Sequence, residues 1–346
     1  MTRRALTLAV AGFLVVLLSA VAALLPVPYV ALEAGPVTNT LGAVGSTELI
    51  RIDGRRTYPD NGNLDLTTVH VVGGPGSQLG LVKALWGWVD DGVAIVPEDQ
   101  VYPPGETAEQ AERESATEMR DSQENATTAA LRELGIPVQT RLLVQDVPKG
   151  SPSKGKLLPG DEIVAVDGKR VVGGAQLRER ITSRKPGEQV RMTVLRDGRE
   201  ETRTITTIAA DDGRALVGIT TRDEAEYPFT VEISLKDVGG PSAGLMFALG
   251  IVDKLTPGSL TGGAHIAGTG TIDDGGQVGP IGGITQKMIG ARKAGATVFL
   301  APPGNCDEAK QTKPDGLRLV RATTLSSAVA SLERLAEGRT AGLPSC

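Results

Sequence analysis

The stretch that most constrains the fold is Gly239–Gly244, which reads Gly-Gly-Pro-Ser-Ala-Gly and leads directly into the apolar run Leu245–Val252. The pattern predicts a tight turn that enters a helix. The first N–H groups of a helix have no partner within it, so a serine among small residues there can act as a nucleophile beside donors for an oxyanion. The same residues also fit a Gly-Pro turn in which Ser242 is an N-cap. Both interpretations stay open at this point, because a nucleophilic serine needs a base.

The N-terminal residues predict a membrane anchor. Ala5–Leu25 carries no charge and is almost wholly apolar. As a helix it would extend about 31 Å, close to the thickness of the hydrocarbon layer of a bilayer, about 30 Å. Arg3 and Arg4 precede it, so the positive-inside rule leaves residues 1–4 in the cytoplasm and the rest outside. A cleaved signal peptide is the alternative, but the run is long and does not end in an A-x-A site. We expect a single-pass protein of the cell membrane with an extracytoplasmic folded part.

Composition argues against two kinds of partner. The net charge is −5 and no stretch is strongly basic, so nucleic acid is not expected to bind. With two histidines and no C-x-x-C spacing, a Cys/His metal site is not expected, and neither is a cofactor. The only cysteines, Cys306 and Cys346, would face an oxidising compartment, where a disulfide would tie back the C-terminal tail, residues 339–346. Two unrelated thiols are the alternative.

Strands and two helices are predicted before residue 134. Leu64–Val72, rich in Thr and Val, fits a strand. Gln78–Val89 fits a short amphipathic helix, and its tryptophans, Trp86 and Trp88, would lie either in a core or groove or at a membrane interface. Glu106–Leu134 is acidic and helix-forming, and its spaced apolar residues predict one long helix with a solvated charged face.

The region from Ile136 to Ile208 changes to short strands and turns. It contains Gly150-Ser151-Pro152, then Leu158-Pro159-Gly160-Asp161 and, after a strand, the turn Asp167-Gly168. These residues resemble a PDZ domain, which we place at 135–210. The resemblance implies a small β-rich fold that binds C-terminal peptide tails by strand addition. We expect the loop that holds the peptide carboxylate at Leu134–Leu143.

The same region contains an incomplete nucleotide-binding motif. Gly150, Gly155 and Lys156 have the spacing of a P-loop, but Leu157 stands where the magnesium-binding Ser or Thr is needed. The helix that should follow is interrupted by Pro159-Gly160. A nucleotide site is therefore not expected here.

The positions of the two histidines argue against a histidine as the base for Ser242. Gly240–Gly244 also fits G-x-S-x-G, the nucleophile elbow of α/β-hydrolases, which requires an acid and then a histidine further along the chain. His70 precedes the serine, and His265 follows it by only 23 residues, too few for the intervening elements. A histidine-based triad is therefore excluded, and both histidines are taken as structural.

A lysine supplies a better candidate. Gly282-Gly283 predicts a turn into a helix in which Ile284, Lys287, Met288 and Ala291 share one face. If that face points inward, Lys287 loses hydration and its pKa falls toward the value that a general base needs. A lysine whose stem is buried and whose amine reaches solvent is the alternative.

The pairing of these two segments resembles the proteolytic domain of the Lon family of serine–lysine proteases. Gly-Pro-Ser-Ala-Gly opens one helix and Gly-Gly-x-x-x-Lys opens another, with Gly268–Ile272 and Gly276–Gly283 matching the hairpin between them. The resemblance spans Val231–Pro302. It implies that Ser242 is the nucleophile and Lys287 the base, that Thr269 helps to hold the lysine, and that the backbone N–H groups of Ser242 and Ala243 bind the oxyanion.

The order of segments resembles bacterial membrane-anchored PDZ–Lon proteins, which lack an ATPase module. Glu118-Met119, Ser122 and Ala126–Leu131 resemble the helix that precedes the serine segment in Lon. We expect an α/β (α+β) Lon-type domain with an inserted β-rich PDZ domain and one N-terminal transmembrane helix. The expected boundaries are 1–4 cytoplasmic, 5–25 anchor, 36–134 first part of the protease domain, 135–210 PDZ, 211–338 Lon-type domain and 339–346 tail.

These features predict an ATP-independent, membrane-anchored serine endopeptidase that acts on proteins or peptides, with the PDZ domain recruiting substrate tails. The family resemblance also implies a homo-oligomer, a hexameric ring. The alternative from another class is a non-catalytic PDZ scaffold on a degenerate Lon-type fold. A peptidase that cleaves only its own chain is a third interpretation.

Overall fold

The computed structural model describes residues 3–59, 61–235 and 238–346, without the side chains of residues 5 and 22–24. The predicted cytoplasmic residues 1 and 2 therefore lie outside the described part. The chain forms two compact units. The terminal unit combines Met1–Ile136 with Phe229–Cys346, and the central unit is Pro137–Pro228.

Within its described residues, the first part of the terminal unit holds three α-helices and eight strands. Their bounds are α1 (Arg3–Leu24), α2 (Leu81–Gly87), α3 (Ala108–Glu133), β1 (Pro26–Val27), β2 (Tyr29–Asn39), β3 (Ala43–Val44), β4 (Thr47–Glu48), β5 (Ile50–Asp53), β6 (Asn63–Val72), β7 (Leu79–Gly80) and β8 (Ala94–Pro97). The predicted long helix is present as α3, and Thr107 begins it with a capping box that includes Gln110.

The central unit, all of whose residues are described, contains a six-stranded sheet, a two-stranded sheet and one helix. Its elements are β9 (Gln139–Asp146), β10 (Glu162–Val166), β11 (Lys169–Arg170), α4 (Gly173–Thr182), β12 (Gln189–Arg196), β13 (Arg199–Thr206), β14 (Ile208–Ala209), β15 (Ala215–Leu216) and β16 (Thr220–Glu226). The strand order is β13-β12-β10-β9-β16, so β16 is an edge strand, paired antiparallel with β9. Because of this pairing the unit extends to Pro228, past the PDZ boundary predicted at residue 210, and it takes in residues that we assigned to the Lon-type domain.

The chain then returns to the terminal unit. The remaining elements are β17 (Thr230–Ile233), α5 (Gly244–Leu255), β18 (His265–Gly268), β19 (Thr271–Ile272), β20 (Val278–Gly279), α6 (Ile284–Ala294), β21 (Val298–Ala301), α7 (Cys306–Gln311), β22 (Arg318–Arg321) and α8 (Leu325–Ala336). The main sheet has the order β22-β21-β18-β6-β2-β8 and draws strands from both parts. Strands β6, β18, β21 and β22 are parallel, whereas β2 and β8 run antiparallel to their neighbours.

Helix α5 is the centre of the core. The whole apolar run Leu245–Val252 is buried in it, which explains why that run carries no charge. The surrounding core residues come from α3, α8 and the main sheet, among them Leu66, Ala126, Leu300 and Leu332. Burying α5 fixes the segment just before it, which contains Ser242.

The predicted anchor Ala5–Leu25 corresponds closely to α1. Across the described residues, no helix combines the length and the apolar character that crossing a membrane requires.

Candidate active site

Ser242 lies in the loop immediately before α5. The helix begins at Gly244 with Ala243 as its N-cap, and no side chain caps it, so the interpretation of Ser242 as an N-cap is wrong. Helix α3 holds the loop from one side. The hydroxyl of Ser122 donates to the carbonyl of Pro241 at 3.0 Å, and the N–H of Gly240 donates to the carbonyl of Ser115 at 3.1 Å.

Lys287 lies on the first turns of α6 and points inward, as the shared face with Ile284 and Met288 predicts. Its side chain is only 2% exposed. Gly283 precedes the helix in the left-handed conformation (φ +66°), and a Cβ there would lie 2.6 Å from Val69 Cγ1. A glycine is therefore required where the chain turns to direct Lys287 into the core.

The lysine amine and the serine hydroxyl are in contact. Lys287 Nζ lies 2.8 Å from Ser242 Oγ and 3.1 Å from Thr269 Oγ1. Burial lowers the pKa of Lys287 to about 7, because an ammonium ion without water around it is destabilised. At neutral pH a substantial share of this amine is unprotonated and can accept the proton of Ser242.

Thr269 connects the two residues. Its hydroxyl donates to the carbonyl of Ser242 at 3.0 Å, which leaves the threonine oxygen as an acceptor for Lys287 Nζ. The N–H of Gly270 also donates to the Ser242 carbonyl, at 2.9 Å. The backbone of the serine is thus fixed by two donors from the segment after β18.

The predicted oxyanion donors are available. Among the described residues, the N–H groups of Ser242 and Ala243 have no hydrogen-bond partner. They precede the N-terminus of α5, where the helix dipole favours negative charge.

The other candidate residues lie apart from Ser242. His265 pairs with Asp65, Nε2 to Oδ2 at 2.5 Å, and His70 is exposed. Cys306 and Cys346 form a disulfide with their Cα atoms 4.9 Å apart, which attaches the C-terminal tail to α7. No group of metal-binding side chains occurs in the described ranges of the chain.

Asn305 is a site residue that sequence reasoning missed. It is buried, and its amide accepts from the N–H of Ile281 at 2.9 Å and donates to the carbonyl of the same residue at 2.8 Å. This clamp holds the loop that leads to Gly283 and Lys287. The one signal in the sequence is that this asparagine follows Pro302-Pro303-Gly304, a turn-forming segment.

Two family models match parts of the chain. The C-terminal proteolytic domain of Lon protease (S16) matches residues 235–331, which include the contacting serine and lysine, and the PDZ domain matches residues 113–207. The chain carries a Lon-type proteolytic domain and a PDZ domain. The PDZ match begins within α3, which the structure places in the terminal unit, and it ends before β16.

Relatives match the Lon-type domain over a limited length. The chain is 35% identical over 89 residues to Lon protease 1 of Bacillus subtilis, which is 25% of this chain and 11% of that protein. It is 38% identical over 79 residues to Lon protease 2 of Herpetosiphon aurantiacus, 23% of this chain and 9% of that protein. The chain thus spans about a tenth of the length of these relatives. The PDZ domain of the SdrC-like protein from Listeria monocytogenes is 25% identical, covers 23% of this chain and 85% of that domain, and has a TM-score of 0.22.

The PDZ domain contains a groove beside its edge strand. A cavity of about 430 Å³ lies between α4, which contributes Leu177, Arg178 and Ile181, and the segment 215–221. No residue of Leu134–Leu143, where we expected the carboxylate-binding loop, lines this cavity.

In the groove loop formed by residues 216–219, serine hydroxyls hold two backbone carbonyls. The carbonyls of Val217 and Gly218 accept hydrogen bonds from Ser151, and the carbonyl of Val217 also accepts one from Ser153. Because a peptide unit is planar and trans, the N–H groups of Gly218 and Ile219 point away from these serines. Neither N–H has a partner among the described residues, and both residues line the cavity.

Proposed function

We propose that this chain is a serine endopeptidase in which Ser242 and Lys287 form the catalytic dyad. The observation that carries the proposal is the 2.8 Å contact between Lys287 Nζ and Ser242 Oγ in a site that excludes water from the amine. The match to the Lon proteolytic domain supports the same reaction class.

The residues have distinct roles in this reaction. The neutral amine of Lys287 takes the proton of Ser242 as the serine oxygen attacks a peptide carbonyl. The N–H groups of Ser242 and Ala243 stabilise the oxyanion, and the protonated lysine then gives its proton to the leaving amine. Water, activated by the same lysine, hydrolyses the acyl-enzyme. The hydroxyl of Thr269, which contacts both the lysine amine and the carbonyl of Ser242, holds these two groups in place during both steps.

We further propose that the PDZ groove binds C-terminal tails of protein substrates. Strand β16 is an edge strand to which an extended peptide can add. The N–H groups of Gly218 and Ile219, which have no partner in the described part of the chain, can hold a terminal carboxylate. Leu177 and Ile181 supply an apolar wall for the last side chain. In this proposal the carboxylate-binding loop is residues 216–219, not Leu134–Leu143.

The sequence supports three additional proposals. The first is attachment to the cell membrane through Ala5–Leu25, with the peptidase on the extracytoplasmic side. The second is hydrolysis without ATP, since the P-loop-like motif at Gly150 lacks its hydroxyl residue. The third is assembly into a hexameric ring, which rests on the resemblance to Lon.

Hydrolysis of an unfolded protein such as casein, without nucleotide, tests the dyad. Ser242→Ala and Lys287→Met are each expected to abolish cleavage and labelling by a serine-trapping probe. Lys293→Met is the matched control, because Lys293 lies on the same helix but is exposed. If both dyad variants cleave like the parent chain, the assignment is wrong.

The same experiment separates the alternatives. A parent chain that binds peptides but neither cleaves casein nor reacts with the probe would be a non-catalytic scaffold. A chain that reacts with the probe and cleaves only itself, as seen from fragment masses over time, would be a self-processing peptidase.

A further inference from the structure

A cluster of large apolar side chains is exposed on and just after α2. It consists of Val82, Leu85, Trp86, Trp88 and Val89, which we call the α2 patch. Trp86 is 71% exposed, Trp88 61% and Val89 78%. The sequence left these tryptophans either in a core or groove or at a membrane interface, and the structure shows that both rings are largely exposed.

The α2 patch adjoins the apolar helix α1. The N–H of Leu81, the first residue of α2, donates to the carbonyl of Leu25 at 3.0 Å. Strand β1, directly after α1, pairs with β7, directly before α2. The two helices therefore meet at one place. The large apolar side chains of α1 from Leu6 to Val21 are also 46–74% exposed, so both helices present apolar surface.

One ring of the patch packs against the sheet, and the nearby lysine is paired. Trp88 packs edge-on against Tyr29 of β2, with ring centroids 6.2 Å apart. Lys83, the only basic residue between positions 79 and 101, pairs with Glu33 at 3.1 Å. Asp90 and Asp91 follow directly. A surface of this kind offers no free cation to an anionic partner and can bind by apolar contact alone.

We propose that the α2 patch inserts into the headgroup–acyl boundary of a lipid bilayer and seats the Lon-type domain against the membrane. This inference rests on the proposed membrane attachment through α1. Indole rings favour that layer because they have an apolar body and one polar N–H. The first residue of α2 is hydrogen-bonded to Leu25, the residue that follows α1. The α2 patch therefore lies at the depth at which the proposed anchor leaves the hydrocarbon. Insertion depends on apolar contact, so it needs no anionic lipid.

The test uses the intrinsic fluorescence of the full chain, because Trp86 and Trp88 are its only tryptophans. The chain is reconstituted in phosphatidylcholine vesicles, with or without bromine on the acyl carbons nearest the headgroup. We expect the brominated lipid to quench emission at least about twofold and acrylamide to quench less than it quenches N-acetyltryptophanamide. Adding anionic lipid or 0.5 M salt should change neither result.

Variants identify the surface. Trp86→Phe and Trp88→Phe report on each ring separately, and both remaining signals are expected to be quenched. Val89→Asp is expected to reduce the quenching by brominated lipid. Val44→Asp is the matched control. Val44 is also an exposed valine, but it lies in β3, which follows the end of β2 opposite to Tyr29. It should leave the quenching unchanged.

Two results would overturn the proposal. One is full access of acrylamide with no quenching by brominated lipid. The other is protection from acrylamide without bromine quenching, which would mean that a second copy of the chain covers the patch. Whether the chain stays in the membrane at alkaline pH tests the proposed anchor independently of the patch. Casein cleavage tests the proposed dyad independently of both. A failure of the patch is therefore distinguishable from a failure of either.

Discussion

The buried amine of Lys287 makes the reactivity of Ser242 depend on pH in a calculable way. The relevant perturbation is a change of pH from 5 to 9, which titrates this amine if its pKa is about 7. Its two side-chain partners are neutral hydroxyls, Ser242 and Thr269. Burial is therefore the cause of the lowered pKa.

The expected effect is large. With a pKa of about 7, roughly half of the enzyme has a neutral lysine at pH 7, whereas an amine at its ordinary value of 10.5 would be neutral in about one molecule in 3,000. Acylation should rise about tenfold per pH unit below pH 6 and level off above pH 8, with a midpoint near pH 7.

The measurement is the second-order rate constant for labelling of Ser242 by a serine-trapping probe across this pH range. Labelling isolates the acylation step from substrate binding and product release. Lys293→Met should give the same profile. A rate that keeps rising to pH 10, or one that is flat from pH 5 to 9, would refute the idea that desolvated Lys287 is the base.

Stability gives a second readout of the same pKa. Between pH 7 and 10.5 the unfolded chain binds a proton that the native chain lacks, so this residue makes the free energy of unfolding rise with pH in that window, by up to about 1.4 kcal/mol per pH unit. Lys287→Met removes this dependence. The variant should be more stable than the parent at pH 6, by roughly 5 kcal/mol at most, and the difference should shrink toward pH 10. Urea titrations at both pH values measure it, and equal stability of the two proteins at pH 6 would contradict the buried amine.

Three other predictions follow from single contacts. Thr269→Val should lower kcat/KM for a peptide about 10- to 100-fold through the lost hydrogen bonds, while Thr269→Ser should retain most activity. A loss of activity in Thr269→Ser with none in Thr269→Val would mean that the methyl group matters instead of the hydroxyl. Gly218→Ala should weaken the binding of a tail peptide at least about tenfold, as measured by fluorescence anisotropy. The reason is that Gly218 has a left-handed backbone (φ +66°) and that an added Cβ would lie 2.7 Å from the Ser151 hydroxyl. An unchanged affinity would show that this loop does not bind the peptide. Cys346→Ser should lower the free energy of unfolding by about 2–4 kcal/mol, and reductant should do the same to the parent chain but not to the variant.

The site could be predicted because two of its signals are local. An uncharged apolar run has to become a buried helix, and the residue before it is then fixed in position. A lysine on the same helical face as Ile284 and Met288 has to point inward with them. That Lys287 Nζ meets Ser242 Oγ depends on how α5 and α6 pack, and here the resemblance to Lon supplied what the pattern of residues could not.

The parts that were missed depend on contacts between distant segments. Strand β16 is rich in charged residues and lacks the apolar alternation of a strand, so no pattern of residues indicated that the PDZ domain continues past residue 210. The groove loop is held through its carbonyls by Ser151 and Ser153, more than sixty residues earlier. Asn305 acts on the backbone of Ile281, a contact that no spacing rule anticipates.

The insertion of the PDZ domain into the terminal unit has a consequence for synthesis. Helix α3, whose Ser115 and Ser122 hold the serine loop, is translated before the central unit, and Ser242 and Lys287 are translated after it. At about 5–20 residues per second, roughly ninety intervening residues delay the serine by several seconds. In the proposed function, a growing chain therefore has its complete tail-binding groove before it has its nucleophile, and a product that ends before Lys287 lacks the base of the proposed dyad. Under the proposed mechanism, proteolytic activity therefore begins only when synthesis has passed Lys287.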